Sequence, residues 1–103
     1  MAGENAVQFI QTWYQAQCNG VWEHGNGITI ETLATPGWQV TIDLAETVLE
    51  DRSMREFVVR RSERDWIVCK VEHGQFRGEG DPNKLAAILH IFETFASQAA
   101  AVK

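Results

Sequence analysis

The first half of this chain contains no lysine and no arginine. All nine lysine and arginine residues lie at position 52 or later, whereas seven of the fourteen acidic residues precede that position. Because the net charge is −5 and the basic residues are interleaved with acids, the sequence does not predict the basic surface that nucleic-acid binding requires. Unpaired carboxylates beside aromatic side chains predict instead a surface that attracts a basic protein partner.

Long apolar runs and paired cysteines are also missing. The apolar stretches are too short to span a bilayer and the N-terminus lacks the basic segment of a secretory signal, so we expect a cytoplasmic protein. Cys18 and Cys69 are far apart and lack CxxC spacing, which favours reduced thiols. The histidines and cysteines are scattered singly, so no metal or cofactor site is predicted. At 103 residues and 45% apolar content, residues 1–103 form one predicted domain.

Helical periodicity predicts one helix near each end of the chain. Apolar residues recur at helical spacing over about 5–18, where Asn19-Gly20 supplies a left-handed stop. The second helix is predicted to begin at Asp81-Pro82, with Asp81 as the N-cap and Pro82 in the first helical position. Its apolar stripe continues to the alanine-rich end of the chain.

Alternation with a period of two predicts strands between these helices. The third and fourth strands carry apolar residues on both faces, so we expect that part of the sheet to be covered more fully than the rest. The predicted fold class is α+β, with a meander-like antiparallel sheet of four to five strands between an N-terminal and a C-terminal helix. The predicted strands cover about 27–33, 38–44, 54–61, 66–72 and 75–78, with residues 45–53 as a connection.

A catalytic site is not apparent from the reactive residues. Cys18 lies at the predicted end of a helix, where the helix dipole opposes a thiolate. Glu23 and His24 are adjacent, and adjacent side chains rarely point at one target. We therefore expect a protein that is not an enzyme. The alternative left open is a small enzyme or small-ligand-binding domain that uses Cys18, Glu23 and His24 in a pocket between the first helix and the sheet.

Several short motifs, in their order along the chain, resemble the immunity protein 53 family. The central motif is Gln-Cys-Asn-Gly-Val-Trp-Glu-His over 17–24, followed by Pro-Gly-Trp over 36–38. The similarity extends from Trp13 to the last helix. It implies a protein of a bacterial polymorphic toxin system that neutralises a cognate toxin by direct binding. The motifs that support it further are Trp13-Tyr14, Gly27-Ile28, Thr32-Leu33, Asp43-Leu44, Asp65-Trp66 and Gly80-Asp81-Pro82.

The residues predicted to contact this toxin combine an exposed loop with acidic side chains of the first half. Since the first half is acidic, a basic nuclease is one hypothesis for the toxin. For Trp22 two interpretations stay open, because it could either contact the partner or plug the end of the sheet. Pairing of two copies through an exposed sheet edge also stays open. The partner-binding candidates are Trp22, Glu23, His24, Glu31, Asp43 and Glu46.

Overall fold

The part of the chain that the structure describes forms two long helices, one short helix and five strands. The computed structural model describes the backbone of residues 2–101 and the side chains of residues 6–98. These elements confirm the predicted α+β class with a helix near each end. In chain order they are α1 Ala2–Gln17, α2 Trp22–Gly25, β1 Ile28–Leu33, β2 Gly37–Asp43, β3 Phe57–Ser62, β4 Asp65–Glu72, β5 Gln75–Gly80 and α3 Leu85–Ala101.

The five strands form one antiparallel sheet in the order β1-β2-β5-β4-β3. β1 and β2 form one hairpin, and β3, β4 and β5 form a meander whose last strand pairs with β2. The β4–β5 turn consists of His73 and Gly74, both with positive φ, as a two-residue hairpin turn requires. Because β5 lies between β2 and β4, the connection over 44–56 leads from the inside of the sheet to its far edge.

The helices cover one face of the sheet, and the core lies between them. Val40 and Ile42 of β2 are fully buried on this face, which confirms the inward face predicted from their alternation. Cys69 is also fully buried, and burial raises its thiol pKa to about 12, in keeping with a core-filling role. α3 lies so close to β5 that a Cβ atom at Gly78 would collide with the side chain of Ile88.

The prediction that the β3–β4 region is covered more fully than the rest of the sheet is wrong for β3. Phe57 is 42% exposed and Val58 is 47% exposed. Val58 lies on the face away from the described helices, whereas Phe57 lies on the helix-covered face but at the outer strand β3, and α3 packs mainly over β5 and β4. Apolar alternation on both faces therefore marks accessible surface at this edge.

Asp81 is not the N-cap that local rules predict. The last helix begins at Leu85, and the fully buried Asp81 carboxylate joins the strand end to the turn before the helix. Its Oδ2 accepts hydrogen bonds from the Trp66 backbone N–H at 2.8 Å and from Lys84 Nζ at 2.7 Å. Its Oδ1 accepts one from the Asn83 N–H at 2.8 Å. These donors, Lys84 first, lower the pKa of Asp81 to about 2.

We expect the stability contributed by Asp81 to fall with pH. Its folded pKa lies below the unfolded value of about 3.9, so the contribution is complete above the unfolded pKa and is lost as pH falls toward about 2. Urea unfolding of the wild type and Asp81→Asn should therefore give a difference in unfolding free energy that shrinks between pH 6 and pH 2.5. The exposed Asp51→Asn serves as the charge-matched control. A difference for Asp81→Asn that is constant across this range would contradict the assignment.

Candidate partner-binding surface

One face of the sheet is left uncovered by the described helices, and we call it the open face. Each side chain on it is half-buried or exposed, whereas most inward positions of the central strands are buried. It therefore presents a preformed surface held by the backbone hydrogen bonds of five strands. From β1 across to β3, its residues are Thr29, Glu31, Leu33, Gln39, Thr41, Asp43, Gln75, Arg77, Glu79, Trp66, Val68, Lys70, Glu72, Val58 and Arg60.

A row of acidic and amide side chains crosses three strands of the open face. Glu31 pairs across the sheet with Gln39, and Gln39 pairs with Glu79. Gln39 Nε2 donates a hydrogen bond to Glu79 Oε2 at 2.7 Å. Within the described part of the chain, neither Glu31 nor Glu79 forms an ion pair. Among the described residues, both carboxylates are therefore free of a direct ion pair.

The basic residues of the open face already have partners. Glu72 lies 3.4 Å from Lys70 Nζ and 3.6 Å from an Arg77 guanidinium nitrogen. The Arg60 guanidinium lies 5.8 Å from the centre of the Trp66 ring, within the range of a cation–π contact. The uncompensated charge of this face is therefore acidic and lies toward β1, while the aromatic Trp66 lies toward β3.

Two of the sequence-predicted residues, Glu31 and Asp43, lie on the open face, but they differ in availability. Glu31 is exposed on the outer strand β1. Asp43 is half-buried, and both of its carboxylate oxygens accept hydrogen bonds at 2.8 Å, Oδ2 from the Gly27 N–H and Oδ1 from Gln75 Nε2. Asp43 therefore anchors the start of β1 and the start of β5 to the end of β2, whereas Glu31 has its carboxylate available.

Trp22, for which the sequence left an exposed and a buried interpretation open, lies in the core. It begins the short helix α2 and is 2% exposed. Its indole Nε1 donates a hydrogen bond to the Ala45 carbonyl at 2.8 Å, and its ring contacts Trp13 and Tyr14 edge to face. Burial with a satisfied N–H supports the interpretation that Trp22 plugs the end of the sheet, because the indole offers no accessible face in this conformation.

The side chains of Glu23 and Asn19 hold the loop between α1 and α2 by accepting hydrogen bonds from its backbone N–H groups. The Glu23 carboxylate accepts hydrogen bonds from the N–H groups of Asn19 at 3.0 Å and Gly20 at 2.8 Å. Asn19 Oδ1 accepts from the N–H groups of Val21 at 2.9 Å and Trp22 at 2.8 Å. The pKa of Glu23 is lowered by backbone N–H groups, first its own and then those of Asn19 and Gly20. Gly20 has a φ of 90°, which confirms the predicted left-handed stop.

Among the described residues, no hydrogen bond joins the side chains of Cys18, Glu23 and His24 to one another. Cys18 is exposed, and its Sγ donates to the Tyr14 carbonyl at 3.4 Å. The Glu23 carboxylate binds the loop backbone, and His24 is exposed on α2. Among the described residues, no group of three or more His, Cys, Asp and Glu side chains is placed to hold a metal ion. These contacts explain the Glu23 position by local structure.

His24 and Glu46 lie at the end of the sheet. The hydrogen bond from Trp22 to the Ala45 carbonyl brings α2 next to the turn that carries Glu46. Glu46 is exposed there, with a φ of 62°. The structure thus separates the candidates, with Glu31 and Asp43 on the open face and Glu23, His24 and Glu46 at its end.

Sequence reasoning missed two residues of the open face, Glu79 and Trp66. The signal for Glu79 was the alternation of Gln75, Arg77 and Glu79 with the buried Phe76 and glycines of β5. The predicted strand ended at residue 78, so it did not include Glu79. Trp66 and Arg60 could be recognised as neighbours only from the β3–β4 register.

The architecture defines a two-layer α+β protein with one helix-covered and one open sheet face. Within the described residues, no helix is both long and apolar enough to cross a membrane. The chain belongs to the immunity protein 53 family, whose model matches residues 7–97. No curated protein and no solved structure matches the chain.

Replacing Trp22 tests its role as a core residue. We expect Trp22→Ala to lower the free energy of unfolding by about 3–5 kcal/mol, because it removes a buried aromatic side chain. The neighbouring His24→Ala, at an exposed position, should change it by no more than about 0.5 kcal/mol. Urea unfolding measures both values. Equal stability of the two variants would contradict the assignment of Trp22 to the core.

Proposed function

We propose that this chain is an immunity protein of a bacterial polymorphic toxin system, which neutralises its cognate toxin in the cytoplasm by direct, non-catalytic binding. The observation that carries the proposal is the match to the immunity protein 53 family over residues 7–97. A protein of this kind needs a rigid surface with complementary charge and does not need reactive groups. The open face supports the proposal, because it is a preformed surface that carries acidic side chains without ion pairs among the described residues.

The toxin contacts that we propose are centred on the acidic row of the open face. Glu31 is exposed and Glu79 is half-buried, and within the described chain neither is neutralised by an ion pair. Trp66 adds an aromatic side chain to the same face, and aromatic residues are enriched among those that dominate binding energy. Glu46 and His24 extend the contact at the end of the sheet. Trp22, Glu23 and Asp43 support this surface through their packing and hydrogen bonds.

The charge of this surface favours a toxin with a basic contact region. Carboxylates that face a basic cleft steer the partner during encounter and fix its orientation. A basic nuclease is the toxin class that we propose, because its phosphate-binding cleft would accept the acidic row. The alternative of a Cys/Glu/His enzyme is not favoured, since the pocket between α1 and the start of β1 is lined by Ile10, Gln11, Tyr14, Gly27 and Ile28 rather than by Cys18, Glu23 and His24.

Co-expression with the toxin encoded beside this gene tests the function, and the variant Glu31→Lys tests the surface. The wild-type chain should protect cells, and the purified chain should bind a catalytically disabled form of that toxin. We expect Glu31→Lys to weaken binding at least tenfold and to reduce its dependence on ionic strength, because the charge that attracts the basic region is reversed. Isothermal titration at 50 and 300 mM salt measures both effects.

Glu50→Lys is the matched control, because it makes the same change in charge at an exposed position outside the open face. Its affinity should stay within twofold of the wild type. Cells that die equally with and without the wild-type chain would refute the immunity function. Protection together with an affinity that is insensitive to Glu31→Lys would refute only the proposed surface.

A further inference from the structure

A groove lies between α3 and the chain segment that leads into β3, away from the open face. We call it the α3 groove. It has a volume of about 590 Å³, enough for one or two large side chains. Its walls come from two parts of the chain that are distant in sequence and are Arg52, Ser53, Met54, Arg55, Phe57, Ile91, Thr94, Phe95 and Gln98.

The interior of the α3 groove is apolar. Phe95 is 7% exposed and forms part of its base together with Met54 and Ile91, which are half-buried and pack against the core. Phe57 forms a more accessible wall and is 42% exposed. An accessible aromatic ring beside a buried aromatic base is a surface on which a further apolar side chain gains contact area.

The polar rim of the α3 groove is basic. Arg52 and Arg55 are exposed and line it, and none of its lining residues is acidic. The sequence neighbours Asp51 and Glu56 are not part of the walls. Within the described residues, neither arginine has an acidic partner within 4.0 Å. The two arginines give the rim of an apolar groove a positive charge, and arginine binds carboxylates in a bidentate manner. Charge complementarity therefore favours a carboxylate close to an apolar side chain as the occupant.

We propose that the α3 groove binds an acidic segment of the toxin, with an apolar side chain inside the groove and a carboxylate on Arg52 and Arg55. This proposal rests on the proposed function and adds a second contact of opposite charge to the acidic row. A second copy of this chain fits the groove less well. Two copies that met through it would bring both pairs of arginines together, and like charges at an interface oppose association.

The position of the groove allows one partner to reach both contacts. β3 forms one edge of the open face, and Phe57 at its start forms a wall of the groove. β1, which carries Glu31, and β3 are separated by four strand spacings, or roughly 19 Å across the sheet. A standard interface covers about 800 Å² on each partner, which is wide enough to span this distance and continue over the edge. The toxin would then contact the chain both at the acidic row of the open face and at the α3 groove.

Two pairs of variants test the α3 groove against the catalytically disabled toxin domain encoded beside this gene. Thr94→Trp fills the groove without a change in charge, and Ser97→Trp places the same side chain at an exposed α3 position outside it. Arg55→Glu reverses a rim charge, and Arg64→Glu makes the same change in the β3–β4 turn. We expect Thr94→Trp and Arg55→Glu each to weaken binding at least tenfold, and both controls to stay within twofold of the wild type.

Thermal unfolding of each variant shows whether it is folded, and only variants within 5 °C of the wild type enter the comparison. If Thr94→Trp fails that criterion, Gln98→Trp replaces it. If Arg55→Glu fails, Arg52→Glu replaces it. Affinities within twofold of the wild type for either groove variant overturn the proposal, because both the apolar space and the rim charge are required. If those affinities are unchanged while Glu31→Lys weakens binding, the immunity function stands without the groove. If the wild-type chain neither binds the toxin nor protects cells, the proposed function itself fails.

Discussion

The fold is centred on Phe92, a fully buried aromatic residue in the middle of α3. The centre of its ring lies 5.2 Å from the ring centres of Phe76 in β5 and Trp13 in α1, and 6.2 Å from that of Phe9. One side chain thus connects both long helices to the central part of the sheet. Since both helices converge on this point, they occupy one face of the sheet and leave the other accessible.

The same aromatic cluster gives the most characteristic motif of the chain a structural role. Trp13 contacts Phe92 on one side and Trp22 on the other, so the cluster continues from the middle of α3 to the end of the sheet. Asn19 and Glu23 hold the loop that positions Trp22. The motif over residues 17–24, which carries the family resemblance, therefore stabilises the fold at this end of the molecule. The accessible acids that we assign to toxin binding lie outside that run.

Prediction from the sequence succeeded where local rules decide the structure. The alternation around Val40 and Ile42 correctly identified the buried face of β2, and Gly20 correctly ended α1. Local rules failed where a group distant in sequence forms a hydrogen bond with the side chain that the rule concerns. Asp81 has the sequence position of an N-cap, but its carboxylate binds the N–H of Trp66, fifteen residues earlier, and the helix begins at Leu85. No pattern within one segment contains that interaction.

The sequence by itself determined the α+β class, the approximate helices and strands, the family and the acidic character of the first half. The fold class, the elements and the charge depend on periodicity, turn residues and composition, and the family resemblance depends on short motifs in their order along the chain. All of these are properties of local sequence. Only the tertiary structure decided which acidic residues are available to a partner. The carboxylates of Glu23 and Asp43 are engaged by N–H groups and by Gln75, whereas Glu31 on an outer strand has no such donor among the described residues. The physical reason is that burial and hydrogen-bond satisfaction depend on segments that approach each other only in the folded chain.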